Sequence, residues 1–433
     1  MAFVSHETRF EDAKSVGYSK LEKSRFCYMI PGEYPNAILF SRRSQVKDSQ
    51  TNDAPNTQQV QPEYDDGQST DLEREDIGED IEEMKPWDPR EIRVDPKMFS
   101  LRNIIDMIDE GTLKLNPEFQ RRRVWKPATK ARLIESLLLR IPLPSFYFDS
   151  DEHGQMQVVD GLQRLSSVYE FVKEKFPLDG LEYLNKHVGG RNFSDLDQLW
   201  QRRIYQTQLA VNVIDPQTPG PVKFNIFKRI NTGGQPLNAQ EIRHAMSKER
   251  SRAFLQQLSE KDIFHQATGS ALKNHRRMAD LEVVLRYCAF RSLEDLSQYR
   301  EFNTMSEFLT DFTDKVDSGL LSDRALEILD EDFTFAMNNA YNLFQEEAFR
   351  KWPLETPRRN PINRALFESW SVALSDYHWE HLQPHKDQII AAAREAMTND
   401  TDYIQSISVS TGSGPRVVCR FETARQILNQ AQE

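Results

Sequence analysis

A change in composition near residue 91 constrains the fold of this 433-residue chain more than any other sequence feature. Residues 41–84 are rich in Ser, Gln, Asn, Asp and Pro and have few large apolar side chains, so they cannot bury enough surface to offset the entropy of ordering. From about residue 91 onward, apolar residues recur at helix and strand spacings. We therefore expect residues 1–90 to be a low-complexity, disordered N-terminal region that precedes the folded part.

The acidic charge of the chain is concentrated in residues 63–83. Eleven carboxylates and one arginine give this tract a charge of −10, whereas the whole chain carries −12. The remainder is nearly neutral, so the overall charge does not argue against nucleic acid as a partner. We expect the acidic tract to be a solvated, disordered linker. The alternative interpretation is that it mimics DNA and occupies a basic groove.

Apolar runs and cysteines exclude several classes of protein. The longest purely apolar runs, such as residues 137–139, are far shorter than the roughly 18–20 residues of a membrane-spanning helix. No apolar segment follows a basic start at the N-terminus, so we do not expect a secretory signal. Cys27, Cys288 and Cys419 lie far apart and lack metal-ligand spacing. We expect a soluble cytoplasmic protein without a disulfide scaffold, a cysteine zinc site or membrane contact.

Hydrophobic patterns predict an α+β domain at residues 91–250. Ser100 is expected to cap the first helix of this domain, and Pro127 suits the first turn of the next one. PSFYF and MQVVD are predicted to be paired strands, and QLAVNVID a further strand. Residues 251–433 have mostly helical patterns, with a strand-like VVCRF near the end. The expected fold class is therefore α+β, followed by a mostly α-helical C-terminal domain.

The segment VVDGLQR at residues 158–164 places a glycine between a predicted strand and a predicted helix. Glycine lets a ligand approach the backbone, and the first N–H groups of a helix attract anions. Gln163 and Arg164 in the first turn supply an amide and a planar cation that suit phosphate oxygens. Asp160 suits Mg²⁺ or the orientation of an attacking water. These parts are typical of a nucleoside triphosphate site without the P-loop sequence, which does not occur in this chain.

A structural explanation of the same residues remains open. Asp160 is a good helix cap, and Gln163 three residues later completes a capping-box pair. Arg164 then needs to be no more than a surface cation. From these residues alone, capping and phosphate binding are about equally supported.

Three motifs follow one another in the sequence: PEFQRRRVW from residue 117, VDGLQR from residue 159 and FKRINTGGQPLNAQEIR from residue 227. Each motif is weak alone, because a polar loop with a core tryptophan, a capped helix and a turn with positive φ angles explain them without function. In this order they resemble the GmrSD restriction endonuclease N-terminal domain family over about residues 95–247. Leu162 stands where that family usually has a glutamine.

The resemblance implies a ParB/sulfiredoxin-like fold for residues 91–250, together with nucleotide binding and hydrolysis. It implies Asp160, Gln163 and Arg164 as catalytic residues, with Asp160 also as the metal ligand. The residues that it implies for nucleotide binding are Gln120, Arg121, Gly161, Gln163, Arg164, Asn231 and Thr232. The implied cofactors are Mg²⁺ and a nucleoside triphosphate of unknown identity.

Many larger relatives carry an HNH nuclease half, and the segment WEHLQPH at residues 379–385 is similar to one of its motifs. An HNH site needs a histidine base and a metal ligand placed across a ββα unit. The sequence after this segment predicts a helix instead. We therefore expect a stand-alone form without the nuclease half.

Basic residues predict DNA as a partner through phosphate contacts. The residues predicted for DNA binding are Arg122, Arg123, Lys273, Arg276 and Arg277. A separate nuclease or defence effector subunit and a homo-oligomer are further expected partners.

Three functions are consistent with the sequence. The favoured one is a nucleoside triphosphate-binding and hydrolysing ParB-like protein of a bacterial DNA restriction or anti-phage defence system. The alternative is a non-catalytic, nucleotide-gated DNA-binding or adaptor protein that acts with a separate nuclease. The third, ranked last, is a ParB-like DNA-nicking endonuclease, because only Asp160 among the motif residues offers a metal-binding carboxylate.

Overall fold

The computed structural model contains a five-stranded sheet with its helices and a larger set of packed helices. The structure describes residues 60–65, 67–77, 92–115, 125–230, 237–356 and 359–430. All of these residues belong to one compact unit. Strands and helices are numbered below along these residues.

The strands form a small hairpin and one larger sheet. They are β1 (Pro62–Asp65), β2 (Gln68–Glu73), β3 (Val94–Ser100), β4 (Leu113–Lys114), β5 (Phe146–Ser150), β6 (Met156–Asp160) and β7 (Gln208–Ile214). β1 and β2 pair in antiparallel fashion, and the other five strands lie in the order β3-β7-β5-β6-β4. β3 with β7 and β5 with β6 are antiparallel, whereas β5 with β7 and β4 with β6 are parallel. The α+β fold class is therefore confirmed.

Helices surround this sheet and form most of the C-terminal half. The helices up to residue 246 are α1 (Leu101–Asp109), α2 (Pro127–Leu138), α3 (Leu162–Val172), α4 (Asn185–Val188), α5 (Gln198–Gln206), α6 (Gly220–Ile230) and α7 (Ala239–Met246). The helices that follow are α8 (Glu249–Ser259), α9 (Asp262–Ala267), α10 (Ala279–Arg291), α11 (Met305–Asp317), α12 (Asp323–Phe344), α13 (Arg364–Leu374), α14 (Trp379–Leu382), α15 (Lys386–Asn399), α16 (Thr401–Ser406) and α17 (Gly414–Gln430). The helical character predicted for the C-terminal half is confirmed.

Local signals explain where several helices begin. The Ser100 hydroxyl accepts a hydrogen bond of 3.2 Å from the Asn103 N–H, which caps α1 as predicted. Pro127 occupies the first position of α2, where the missing N–H has no helical partner to lose. Gly111 follows α1 with a positive φ angle of 74°. These predictions depend on neighbours in the sequence, and they are confirmed.

The prediction of a strand at VVCRF is wrong, because these residues lie inside helix α17. Val417, Phe421, Ala424 and Leu428 are buried and recur at the spacing of one helix face. Burial of that face against the other helices outweighs the preference of the two valines for strands.

Buried apolar side chains form separate clusters around the sheet and among the C-terminal helices. One cluster lies between Leu101 and Val213, around the sheet, and the largest includes residues from Phe254 to Leu428. A small third cluster consists of Ile214, Phe227 and Ile242. The domain boundary predicted near residue 250 stays a prediction.

The interpretation of the acidic tract as a disordered linker is wrong for residues 60–65 and 67–77. These residues include the β1–β2 hairpin, and Leu72 is fully buried in the core of the C-terminal helices. Glu73 and Glu75 form ion pairs with Lys351 and Arg286, which lie more than 200 residues away in the sequence. Partners at such a distance leave no local signal. The rest of residues 1–91 lies outside the described residues.

Among the described residues, no helix has the length and the apolar composition that crossing a membrane requires.

Candidate functional site

The motif DGLQR lies at the junction of strand β6 and helix α3, as the sequence predicts. Asp160 ends β6, Gly161 follows, and α3 begins at Leu162. Leu162 is buried in the core around the sheet. The leucine that replaces the family's usual glutamine therefore has a packing role. Gln163 and Arg164 lie in the first turn of α3 and are partly exposed.

Gly161 is required by its surroundings rather than by an open space for a ligand. Its φ angle is 96°, a left-handed conformation that favours glycine. A Cβ atom at this position would lie 2.1 Å from Cδ1 of Phe146, on strand β5. The alternative that Asp160 caps α3 is wrong, because Gly161 is the cap residue.

Arg164 holds the turn together through four interactions. Its guanidinium donates hydrogen bonds to Asp160 Oδ2 at 2.9 Å, to the Pro144 carbonyl at 2.6 Å and to the Ser145 carbonyl at 3.3 Å. It also stacks over the ring of Phe146, with Cζ 4.3 Å from the ring centre. The side chain is only 14% exposed. Burial lowers the pKa of Arg164, and the charge of Asp160 opposes this shift.

A small cleft lies beside Asp160, and its internal volume of about 10 Å³ is the space of roughly one water molecule. Val159 and Asp160 of β6, Phe227 of α6 and Ile242 of α7 form its walls. Among the described residues that line the cleft, Asp160 is the only charged one and the others are apolar.

Residues next to the third motif's undescribed part line this cleft, and strand β4, which precedes the first motif, pairs with the strand that carries Asp160. Ile230 and Leu237, which flank residues 231–236, both line it. Lys114, at the end of β4, is in register with Gln157 of the parallel strand β6. The carboxyl ends of parallel neighbours lie at the same edge of a sheet, so β4 ends beside the strand that carries Asp160.

Several predicted site residues lie outside the described residues. They are Gln120, Arg121, Arg122, Arg123, Asn231 and Thr232. Their assignment to nucleotide or DNA contacts stays a prediction. Trp125, which ends the first motif, is partly buried and packs against the core around the sheet, as expected of a structural residue.

The donor set around Asp160 does not fit a metal site built by the protein alone. Oδ2 of Asp160 is bonded to Arg164, and the described residues include no group of three or more His, Cys, Asp or Glu side chains that could hold a metal ion. Mg²⁺ usually retains several waters and binds one or two carboxylates together with phosphate oxygens. The assignment of Mg²⁺ to Asp160 stays a prediction.

The basic residues predicted for DNA binding have different surroundings. Lys273 and Arg276 are exposed. Arg277 is largely buried, and its guanidinium forms an ion pair of 3.3 Å with Glu241. The Arg277 carbonyl accepts a hydrogen bond of 2.9 Å from Asn238 Nδ2. Arg277 therefore joins the start of α7 to the segment before α10.

Helix α7 carries residues whose importance sequence reasoning missed. Asn238 and Glu241 form a capping box at its start. The buried Arg243 donates hydrogen bonds to Gln240 Oε1 at 2.6 Å and to Ser306 Oγ at 3.1 Å on helix α11. Burial lowers the pKa of Arg243 to about 10. The motif AQEIR thus connects one wall of the cleft to the C-terminal helices, and only its spacing as a capped helix was visible in the sequence.

The residues WEHLQPH do not form a ββα unit. Trp379–Leu382 form helix α14, Gln383–His385 form a 3₁₀ turn, and α15 follows directly. The rings of His378 and His381 lie edge to face, 6.1 Å apart. This helical arrangement agrees with the expectation for this segment.

Comparisons with known proteins agree with the motifs. Neither the search of curated proteins nor the search of solved structures found a match. Residues 101–248 match the family model of the GmrSD restriction endonuclease, N-terminal domain. The match includes four of the five strands of the sheet, the turn at Asp160 and helix α7.

Proposed function

We propose that this protein binds a nucleoside triphosphate at the β6–α3 turn and works in a bacterial DNA restriction or anti-phage defence system. The observation that carries the proposal is the position of Asp160, which lines the cleft and pairs with Arg164, within residues that match a restriction endonuclease family model. In this proposal Arg164 and the first N–H groups of α3 contact phosphate oxygens.

The N-terminus of α3 supports phosphate binding. The cap residue of this eleven-residue helix is Gly161, which has no side chain that could accept hydrogen bonds from the N–H groups of the first turn. Arg164 is held next to them by Phe146 and by two carbonyls, which limits the entropy lost when it binds a ligand. A phosphate oxygen that reaches the turn would compete with Asp160 for the guanidinium.

A thermal-shift panel of ATP, GTP and CTP, with and without Mg²⁺, tests this proposal. A ligand that binds only the folded state at a hundredfold excess over Kd stabilises it by about 2.7 kcal/mol. We expect at least one nucleotide to raise the melting temperature. No rise with any nucleotide would contradict the proposal.

The variant Arg164→Lys tests the assigned contact. Lysine keeps the charge but loses the planar fork and the stacking on Phe146, so we expect nucleotide affinity to fall at least tenfold in equilibrium dialysis. Arg324→Lys is the matched control, because Arg324 is an exposed arginine on α12 that pairs with Glu327. Circular dichroism establishes that both variants are folded, and an equal affinity of the two would contradict the assignment.

The non-catalytic alternative is favoured by one specific observation. The carboxylate of Asp160 is already paired with Arg164 at 2.9 Å, which suits a binding turn better than a metal-assisted hydrolytic centre. A nucleotide that binds without phosphate release, and a separate nuclease that copurifies with the protein, would support this alternative over hydrolysis.

The ParB-like fold, the DNA-nicking activity and the role of DNA as a partner stay predictions. A plasmid-nicking assay in Mg²⁺ and a DNA affinity that falls steeply with salt would test the last two.

A further inference from the structure

Three carboxylates of the N-terminal segment each pair with a buried cation of the C-terminal half. Residues 60–65 and 67–77 are called the acidic strap below. Glu75 makes two hydrogen bonds with Arg286, at 2.9 and 2.6 Å, and Glu73 pairs with Lys351 at 2.6 Å. Glu63 pairs with Arg364 at 3.0 Å. The side chains of these three cations are at most 12% exposed.

The backbone of the acidic strap is also recognised. Ile362 donates its N–H to the Asp71 carbonyl and accepts a hydrogen bond from the Glu73 N–H, each at 2.8 Å. Leu72, between these two residues, forms a parallel bridge with Ile362 and is fully buried. Farther along, the Thr411 N–H donates to the Asp76 carbonyl at 3.0 Å. Addition of a strand to a groove is a common mode of peptide recognition.

Polar side chains beside the cations complete the recognition of both carboxylates. Asn363 Nδ2 donates to Glu73 Oε2 at 2.9 Å. Thr411 Oγ1 donates to Glu75 Oε1 at 2.7 Å. The surface that contacts the acidic strap is called the strap groove below, and it is formed by Arg286, Lys351, Ile362, Asn363, Arg364 and Thr411.

The strap groove has acids of its own, so its cations keep partners without the strap. Arg286 also bonds to Glu282 at 2.8 Å and to Glu368 at 3.3 Å. Arg364 bonds to Glu282 at 3.2 Å. Removal of all partners from a buried charge costs about 3–5 kcal/mol, and these acids reduce that cost for two of the three cations.

We propose that the strap groove is a binding site for an acidic peptide and that the acidic strap, which begins with the β1–β2 hairpin, is its ligand in cis, replaceable by the same peptide supplied in trans. A peptide is favoured over nucleic acid because the bonds to Ile362 require a peptide backbone and the site of Leu72 requires an apolar side chain. The proposal does not depend on nucleotide binding at the β6–α3 turn.

The test uses the full chain with a protease site introduced within residues 78–91, which connect the acidic strap to β3 in the sequence. After cleavage, a fluorescent synthetic peptide with the sequence of residues 60–77 is added, and its binding is followed by anisotropy. The intact chain is the control, because a tethered strap competes at an effective concentration in the millimolar range. We expect the cleaved chain to bind the peptide at least tenfold more tightly than the intact chain does.

Two further peptides and an oligonucleotide establish specificity. A peptide with glutamine at the positions of Glu63, Glu73 and Glu75 is expected to bind at least tenfold more weakly, and so is a scrambled peptide of the same composition. Equal binding of the scrambled peptide, or displacement by a DNA oligonucleotide but not by the unlabelled peptide, would overturn the proposal in favour of charge alone.

An intact variant tests the proposal without cleavage, in the event that cleavage unfolds the protein. The intact variant Glu63→Gln with Glu73→Gln weakens the strap in cis and leaves Glu75 in place. We expect this variant to take up the fluorescent peptide where the unmodified intact chain does not. Absence of uptake by both the cleaved chain and this variant at millimolar peptide would overturn the proposal and make the acidic strap a fixed part of the core.

Discussion

Arg164 shows how one side chain serves both interpretations that the sequence left open. It stacks on Phe146 and bonds to Asp160 and to two carbonyls, so it stabilises the turn. The same guanidinium lies in the first turn of a helix whose cap residue is Gly161, and it bonds to Asp160, which lines the cleft. Arg164 therefore makes a structural contact while its guanidinium bonds to Asp160. In the proposal, a phosphate oxygen replaces Asp160 as the acceptor.

Gly161 gives a prediction at the residue scale. Gly161→Ala places a Cβ atom against the ring of Phe146 and also imposes a positive φ angle on alanine. We expect it to lower the free energy of unfolding by about 2–5 kcal/mol, the sum of the strain of about 1–2 kcal/mol and an overpacking cost of about 1–3 kcal/mol. Urea denaturation followed by circular dichroism measures the change.

Gly154→Ala is the matched control for that prediction. Gly154 also has a positive φ angle, of 78°, but no atom lies within 4 Å of an added Cβ. Gly154→Ala should lower the free energy of unfolding only by the backbone strain, about 1–2 kcal/mol. Equal losses for the two alanine variants would contradict the account of Gly161 as a residue fixed by its contact with Phe146.

At the scale of elements, sequence reasoning succeeded where the signal is local. Ser100 and Pro127 mark helix starts through neighbours within one turn. The β6–α3 junction was found because a short apolar run, a glycine and a helical pattern are adjacent in the sequence. The general α+β class followed from the same kind of pattern.

Sequence reasoning failed for elements whose stability comes from distant partners. The acidic strap has one fully buried apolar residue, Leu72, and its carboxylates bond to cations on helices far along the chain. The composition of such a segment predicts disorder, because composition reflects only the apolar surface that the segment can bury by itself. Likewise Val417 joins a helix because of the surface on which that helix packs.

Glu282 on helix α10 gives a prediction of pH dependence. Burial raises its pKa, but the cations Arg364, Arg286 and Arg243 outweigh burial and lower the pKa from 4.5 to about 2, while the neighbouring Glu75 carboxylate is also held in its charged form by Arg286. A lowered pKa in the folded state gives stability that is fully present above pH 4.5 and is lost as the pH falls toward 2. This group contributes about 3 kcal/mol at neutral pH.

The variant Glu282→Gln removes this pH dependence. We expect the free energy of unfolding of the unmodified chain to fall by about 2–3 kcal/mol more than that of the variant between pH 7 and about pH 2.5. Glu395→Gln, at an exposed position on α15, is the control and should behave like the unmodified chain. An equal acid loss in the Glu282 variant and the unmodified chain would show that this carboxylate has an ordinary pKa.

At the scale of the whole molecule, helix α7 connects the residues that match the family model to the C-terminal helices. The acidic strap connects the N-terminal segment to the same helices. Helix α7 lines the cleft through Ile242 and bonds to α11 through Arg243. The acidic strap bonds to α10 and α13 through Glu75 and Glu63. A ligand that moves α7 would therefore act on the C-terminal helices directly, whereas the strap acts on them from a separate surface.

Hydrogen exchange with and without the best nucleotide of the panel tests the central claim most directly. If phosphate binds at the β6–α3 turn, the backbone amides of residues 161–165 exchange more slowly in the presence of nucleotide, and this protection is lost in Arg164→Lys. Nucleotide binding that protects amides elsewhere and leaves residues 161–165 unchanged would contradict the claim.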